Sequence, residues 1–248
     1  GGEPTVRDDL PEIVRLGRER GFSFFQLNTN GLRLADEPGY AALLRSAGVS
    51  CAFLQFDGLR DETSTVLRGR PLLEVKRRAI ARCREAGLPV VLVPTLAPGV
   101  NVDEIGDILR FALENAPGVR GVHFQPVSYF GRCALPEPEL RLTIPRVLRE
   151  IEAQTGGLMR ASDFAGGGAE SAYCSFHASY RRLGDGELRA LPRRESSSPG
   201  AGARPSRTRP RTALTPSCAT PTSACSPSRA WCSRTRTTWT CSACGAAT

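Results

Sequence analysis

The chain opens with residues that could bind a ligand, because GGEPT at residues 1–5 joins two glycines to a carboxylate and a proline. Paired glycines let backbone groups approach a ligand closely. The carboxylate of Glu3 could hold a cationic group beside such a turn. Met159 is the only methionine in the chain, and the natural protein is therefore expected to start before residue 1.

Polar side chains also follow four apolar segments that have the length of strands. The segments FSFFQLNTNG, VSCAFLQFDG, LPVVLVPT and VRGVHFQPVS end with Gln26 and Asn28, Gln55 and Asp57, Thr95, or His123 and Gln125. Side chains two residues apart point to the same face of a strand. At any one strand, the polar residues could equally well be the start of a surface loop as part of a ligand site. Four such strand ends predict a polar ligand site, because ligands bind at the carboxyl ends of parallel strands.

The elements that must position these residues alternate between strands and amphipathic helices. This alternation indicates βα units and a parallel sheet, and therefore an α/β fold. Asn101 and Glu104 have the spacing of a capping box before one of the helices. Later, SFHASYRRLGDGELRALP places two extended arms around Gly184–Asp185–Gly186, which predicts a hairpin.

Charge and cysteine content exclude several classes of protein. The net charge is +8, and +7 of it lies after residue 193, so residues 1–193 give no reason to propose a nucleic-acid partner. No close cysteine pair of the CxxC kind occurs before residue 194, which argues against a zinc site or a disulfide framework. No segment approaches the roughly 18 apolar residues of a transmembrane span. A cytoplasmic location is expected.

Several of these stretches together resemble a known superfamily. GGEPT, the TNG at Thr29–Asn30–Gly31 and the βα spacing resemble the core of radical S-adenosylmethionine (radical SAM) enzymes. LQFDG, LVPT and HFQPVSYFGR look closer to the branch that includes the tetraether lipid synthases. The resemblance covers roughly residues 1–190 and implies a partial (β/α) barrel that is incomplete at its N-terminus. It divides the chain into a partial core at 1–133, a C-terminal helix and hairpin region at 134–193, and a tail at 194–248.

The resemblance also implies roles for individual residues around SAM. The backbone of Gly1 and Gly2 and the carboxylate of Glu3, in the turn that Pro4 completes, would bind the methionyl ammonium group. Asn30, Gln55 and Asp57 would line the ribose, and Thr95 and Val127 the adenine. Cys174 is a candidate ligand of an auxiliary cluster, with a structural role as the alternative.

The cofactors implied are SAM and a [4Fe-4S] cluster, because no protein side chain is a strong enough one-electron reductant for this chemistry. In these enzymes a CxxxCxxC loop holds the cluster, and that loop would precede residue 1, so this chain is expected to be inactive alone. A small-molecule or lipid substrate and an electron donor such as ferredoxin or flavodoxin are the implied partners. The alternatives are a non-radical α/β-barrel enzyme and a small-molecule-binding protein.

The tail at residues 194–248 differs from the rest in composition. Its bias toward Arg, Ser, Thr, Pro and Ala predicts disorder. Its Trp and Cys codons would encode Leu, Met or Val in the neighbouring reading frame, and that frame can be read with the apolar spacing of a helix. We therefore expect the tail to be a frameshift product without a function of its own.

Overall fold

The computed structural model describes residues 2–129, 141–166, 175–183, 187–191 and 238–244. All of them belong to the larger of two compact units, which comprises Gly1–Pro192 together with Thr235–Thr248. The second unit, Arg193–Arg234, lies outside the described residues. No helix among the described residues is long and apolar enough to cross a membrane.

The core of this unit is a sheet whose first strands are parallel. In space its strands run from Gln26–Thr29 through Cys51–Gln55, Val90–Val93 and Val119–Pro126 to Thr238–Cys244 (β9), Ser175–Arg182 (β7) and Ala165–Gly166 (β6). Within the described residues, the sheet therefore ends at two edges and is not a closed barrel. The register aligns Thr29 with Leu54 and Leu54 with Leu92, which brings the carboxyl ends of neighbouring strands to one side. The first five strands are β1 Gln26–Thr29, β2 Cys51–Gln55, β3 Val90–Val93, β4 Thr95–Leu96 and β5 Val119–Pro126. The α/β fold with an open, barrel-like sheet is confirmed.

Within the part of the chain that the structure describes, seven helices accompany these strands, and their ends carry the expected residues. Helices α1 and α7 have a proline in the first turn, where its missing N–H breaks no helical hydrogen bond. Helices α3 and α4 end at Gly48 and Gly69, which adopt positive φ angles of 116° and 81°. The helices are α1 Leu10–Glu19, α2 Leu32–Asp36, α3 Tyr40–Ala47, α4 Asp61–Arg68, α5 Leu73–Glu85, α6 Ile105–Glu114 and α7 Ile144–Gln154.

The two faces of the parallel strands differ in what covers them. On one face, Leu54, Leu92 and Phe124 are fully buried in the hydrophobic core. The other face, which we call the open face, carries side chains that are exposed or only half-buried and lie outside that core: Asn28, Phe53, Gln55, His123 and Gln125. A parallel sheet in a doubly wound fold is covered on both faces. The open face is therefore what the interior of an unclosed barrel would present.

Antiparallel strands extend the sheet beyond its parallel part. Strand β7, Ser175–Arg182, pairs with β6, Ala165–Gly166, and with β8, Leu188–Ala190. Strands β7 and β8 are the two arms expected on either side of Gly184–Asp185–Gly186. The predicted hairpin pairing is therefore confirmed, and its turn lies outside the described residues.

The strand β9, Thr238–Cys244, corrects the expectation of a disordered tail. It lies between β5 and β7, parallel to the first and antiparallel to the second. In this position its backbone groups pair on both sides, and the unsatisfied edges of two strands are removed together. Cys241 is fully buried there. The expectation fails for these seven residues because pairing with distant strands outweighs their local composition.

Candidate functional site

The carboxylate of Glu3 connects the GGEPT turn to the end of β1. Its Oε1 accepts hydrogen bonds from the Thr29 hydroxyl at 2.8 Å and from the Thr5 hydroxyl at 2.6 Å. The Thr5 N–H also donates to Oε1, at 3.0 Å, and the Asn30 N–H donates to Oε2 at 2.6 Å. GGEPT and TNG, which are well separated in the sequence, therefore form one continuous hydrogen-bonded unit.

The local structure of GGEPT explains how Glu3 is aimed. Pro4–Val6 is a short 3-10 helix, and Glu3 caps it by accepting from the Thr5 N–H. Pro4 occupies the first helical position, for which its fixed φ is suited. Burial raises the pKa of Glu3, but the hydrogen bonds from Asn30, Thr5 and Thr29 outweigh it, so that the pKa falls below its ordinary value of 4.5. Glu3 is therefore anionic at neutral pH.

The TNG turn has one closely determined conformation. The Thr29 hydroxyl accepts from the Gly31 N–H at 3.0 Å, and the Asn30 Oδ1 accepts from the Leu32 N–H at 2.9 Å at the start of α2. Gly31 has φ +76°, and a Cβ at this position would lie 2.3 Å from Cδ1 of Leu54. Only glycine meets both conditions without strain. The described residues provide no hydrogen-bond partner for the Nδ2 of Asn30, which can donate to a ligand.

Lys76 holds the same turn from helix α5. Its Nζ donates to the Asn30 carbonyl at 2.5 Å, and the residue is only 4% exposed. Burial lowers the pKa of Lys76 to about 8, against the opposing attraction of Asp57 and Glu3. The sequence reasoning missed this residue. A signal was present, because Lys76 is the only lysine in a chain with 33 Lys and Arg residues.

Asp57, which was expected beside the ribose, is paired with Arg68 at the end of α4. The Nε and Nη2 of Arg68 donate to Oδ2 and Oδ1 of Asp57, each at 2.8 Å. The Asp57 side chain is 2% exposed, whereas that of Arg68 is 28% exposed. The Thr95 N–H donates to Oδ1 at 3.1 Å. Asp57 therefore holds the end of β2 against the start of β4, with Arg68 between the carboxylate and the solvent.

Arg68 also contacts the two other predicted ligand-binding residues nearby. Its Nη2 donates to the Thr95 hydroxyl at 2.8 Å. The Gln55 side chain lies 3.0 Å from Nη2, and its amide is assigned with the oxygen toward Arg68, because the reverse would set an NH₂ group against a cation. Gln55, Asp57 and Thr95 thus share one partner, which no sequence pattern indicated.

Asn101 connects the residues that follow β2 to the start of β4. Its Nδ2 donates to the carbonyls of Asp57 at 2.7 Å and Thr95 at 2.8 Å, and its Oδ1 accepts from the Ala97 N–H at 2.9 Å. Glu104 accepts from the Leu59 N–H at 2.6 Å. Neither side chain caps a helix, so the predicted capping box is wrong. Both residues instead hold loops at the carboxyl edge of the sheet.

The remaining predicted residues lie at the same edge or outside the described ranges. The Val127 N–H donates to the Leu96 carbonyl at 2.8 Å, which places Val127 just after β5 and beside β4. Gly2 is exposed, and a Cβ there would meet nothing within 4 Å, so the space next to its backbone is open. Gly1 and Cys174 are not among the described residues.

The described residues do not fit an iron–sulfur cluster. Within residues 2–129, 141–166, 175–183, 187–191 and 238–244, no three His, Cys, Asp or Glu side chains are grouped so that they could hold a metal ion. The thiols of Cys51, Cys83 and Cys241 are buried. Burial raises the pKa of Cys83 to about 12, which disfavours the thiolate that metal binding requires.

The part of the chain that carries this site is similar to a known protein family. Residues 1–112, which contain GGEPT, TNG and the strand ends up to Thr95, match the sequence model of the radical SAM superfamily. This match to a radical SAM superfamily domain covers a little under half of the chain.

Individual relatives cover more of the chain. The 7,8-dihydro-6-hydroxymethylpterin dimethyltransferase of Methanocaldococcus jannaschii is 47% identical over 168 residues, which are 66% of this chain and 33% of that protein. The GTP 3',8-cyclase of Listeria monocytogenes is 34% identical over 134 residues, 53% of this chain and 39% of that protein. The chain thus spans 33% to 39% of the length of these relatives. A domain of the pyruvate-formate lyase-activating enzyme of Bacteroides vulgatus aligns with 62% of this chain and 91% of its own, at TM-score 0.47 and 15% identity.

Proposed function

We propose that this chain is the SAM-binding part of a radical SAM enzyme that cleaves SAM reductively and functionalises an unactivated position of its substrate. The observation that carries the proposal is the union of GGEPT with TNG through Glu3. It sets an anionic carboxylate, the open backbone of Gly2 and the amide of Asn30 side by side at the carboxyl edge of a parallel sheet.

The groups at this edge suit the functional groups of SAM. The Glu3 Oε1 already accepts three hydrogen bonds, whereas Oε2 accepts one, so Oε2 retains capacity for the methionyl ammonium group. The Nδ2 of Asn30 can donate to a ribose hydroxyl. Gln55, Asp57 and Thr95, held by Arg68, would form the wall beside the ribose and adenine, with Val127 following on the next strand.

A [4Fe-4S] cluster would supply the electron for SAM cleavage. We propose that its ligands lie in a CxxxCxxC loop of a longer version of the protein. The described residues, which include Cys51, Cys83 and Cys241, do not provide these ligands. A ferredoxin or flavodoxin is proposed as the electron donor and the cytoplasm as the location.

For the substrate, we favour a small heterocyclic molecule over a lipid. The names of the two relatives refer to a pterin and to GTP. The open face supports a heterocyclic substrate as well, since the side-chain amides of Asn28 and Gln125 can form hydrogen bonds with the polar edge of a flat ring. The rings of Phe53 and His123, 6.2 Å apart between centroids, offer it an aromatic surface. The tetraether lipid synthase branch remains a prediction of the sequence.

The test is SAM binding followed by turnover, each with matched variants. Equilibrium dialysis with labelled SAM should show weak binding by the chain and further weakening by about 1.5–3 kcal/mol in Glu3→Ala, the range for a hydrogen bond to a charged group. Arg78→Met, which removes a partly exposed cation two residues from Lys76 on α5, should bind as the unmodified chain does. Equal binding by Glu3→Ala and the unmodified chain would contradict the proposed site.

Turnover separates this chain from the longer protein. After anaerobic reconstitution and reduction with dithionite, the chain should form no 5'-deoxyadenosine from SAM, whereas a longer version with an upstream CxxxCxxC loop should form it. Iron counting shows whether each protein holds a cluster. A longer version that binds a cluster and SAM but forms no 5'-deoxyadenosine would refute the radical assignment.

A further inference from the structure

Lys76 is unusual among the cations of this chain. It is the only lysine among 33 Lys and Arg residues, and it is 4% exposed. Arg78, two residues further along α5, also donates to a backbone carbonyl of α2, that of Ala35 at 3.0 Å, but its side chain is 41% exposed. Among the described residues, the buried cation beside the TNG turn is thus a lysine.

We propose that Lys76 and Glu3 clamp the backbone of Asn30 between opposite charges, and that Lys76 is thereby a positioning residue for SAM. This inference rests on the proposed function. The Glu3 Oε2 accepts from the Asn30 N–H at 2.6 Å, and the Lys76 Nζ donates to the Asn30 carbonyl at 2.5 Å. Hydrogen bonds to charged groups are short and roughly twice as strong as neutral ones. The clamp fixes the direction in which the Asn30 side chain leaves the turn.

The packing around the turn explains why an ammonium group is found here. A Cβ on Gly31 would lie 2.3 Å from Leu54 and 3.6 Å from Ala79, which is one turn after Lys76 on α5. Helix α5 therefore approaches the turn closely. An ammonium group is a compact point charge, whereas a guanidinium is a wide planar fork. The narrow space between α5 and the turn suits the ammonium group.

Four charged groups act on Lys76 besides its burial. Asp57 and Glu3 favour its charged form, and Arg68 and Arg70 disfavour it. With a pKa of about 8 in the folded state and about 10.4 in the unfolded chain, the unfolded state binds more protons between these values. Global stability should therefore rise with pH in this window. The hydrogen bond from Lys76 to the Asn30 carbonyl should weaken as the pH rises over the same range, because a neutral amine is a weaker donor than an ammonium group.

Global stability and the Lys76–Asn30 hydrogen bond should thus change in opposite directions as the pH rises. The first experiment tests this difference and needs no ligand. Hydrogen exchange followed by NMR gives the protection factor of the Asn30 amide, with the Leu54 amide in β2 as internal reference. Between pH 7 and pH 9.5 the Asn30 protection factor should fall about fivefold relative to that of Leu54. Lysine labelled at Nζ gives a single signal in this chain, so the titration of Lys76 can be followed in the same sample.

Variants test the clamp and its purpose. Lys76→Met keeps the chain length and removes the charge, and should lower the Asn30 protection factor about tenfold at pH 7 and raise the Kd for SAM about tenfold. Arg78→Met, the matched control, should change both less than twofold. If Lys76→Met does not fold, the pH series on the unmodified chain decides the question.

Each contrary result has a distinct meaning. Asn30 protection that stays constant relative to Leu54 while the Nζ signal titrates would overturn the clamp. A loss of protection in Lys76→Met with an unchanged Kd for SAM would overturn its positioning role. An unmodified chain that binds no SAM would overturn the proposed function and the positioning role with it, whereas the exchange data would still show whether the clamp exists.

Discussion

Breaking the ion pair between Asp57 and Arg68 should destabilise the protein unequally, because the two side chains are buried unequally. Arg68→Met leaves a carboxylate that is 2% exposed, with the Thr95 N–H as its remaining donor among the described residues. An uncompensated buried charge costs about 3–5 kcal/mol. Asp57→Asn keeps an acceptor oxygen, and Arg68, at 28% exposure, can turn toward water. We expect that variant to cost about 1.5–3 kcal/mol.

The double variant isolates the interaction itself. Combining Asp57→Asn with Arg68→Met should cost less than the sum of the single changes, with a coupling of about 1.5–3 kcal/mol. The pair of Arg78 and Asp36 is the control, because its separation is 2.9 Å but its side chains are 41% and 65% exposed. Exposed pairs couple by about 0–1 kcal/mol. Urea unfolding at pH 7, followed by far-UV circular dichroism, measures all the variants.

The comparison of the two pairs can refute the reasoning. Both join an arginine to an aspartate at nearly the same distance. They differ in burial, in the second hydrogen bond between Arg68 and Asp57, and in the additional contacts of Arg68 with Thr95 and Gln55. Equal coupling energies at the two pairs would mean that burial does not strengthen the interaction of Asp57 with Arg68. A more stable Arg68→Met variant would mean that Arg68 does not stabilise the buried carboxylate of Asp57.

Four further variants should have measurable effects on stability. Gly31→Ala and Gly69→Ala both place a side chain at a φ near +80°, but only at residue 31 does the new Cβ meet Leu54. In thermal unfolding, Gly31→Ala should therefore lower the free energy of unfolding by about 2–4 kcal/mol, and Gly69→Ala by about 1 kcal/mol. The pKa of Glu3 is lowered in the folded protein, so the stability that its charge contributes is present above pH 4.5 and is lost as the pH falls through the folded pKa. The difference in urea midpoint between the unmodified chain and Glu3→Gln should therefore shrink toward pH 3. Deleting residues 235–248 should lower the urea midpoint, because β5 and β7 lose the strand between them; an unchanged midpoint would contradict the pairing of β9.

The parallel strands could be predicted because each carries its own signal. A buried parallel strand is a short continuous apolar run, as in VVLV of β3, and its polar end marks where the loop begins. Once the strands are parallel, their carboxyl ends must share one edge. The gathering of Asp57 and Thr95 at that edge therefore follows from local patterns, whereas the place of Glu3 beside it was expected from the family resemblance of GGEPT and TNG.

The residues that hold this edge could not be predicted in the same way. Lys76 reaches Asn30 across 46 positions of sequence, and Asn101 reaches Asp57 across 44. Charged residues on a helix usually face the solvent, so the pattern of α4 does not set Arg68 apart from the other arginines. The spacing of Asn101 and Glu104 indicated a cap because it describes a local contact, whereas both side chains satisfy distant loops.

The place of β9 in the sheet has a consequence for synthesis of the protein. Val122 and Cys241 are paired neighbours in space, although the ribosome makes one long before the other. Until residues 238–244 emerge, the nascent chain presents β5 with one side unpaired, and that edge can recruit strands of other molecules. The final pairing also closes a long loop, which slows folding. Assistance by chaperones should therefore matter most during the interval between translation of β5 and release of the finished chain.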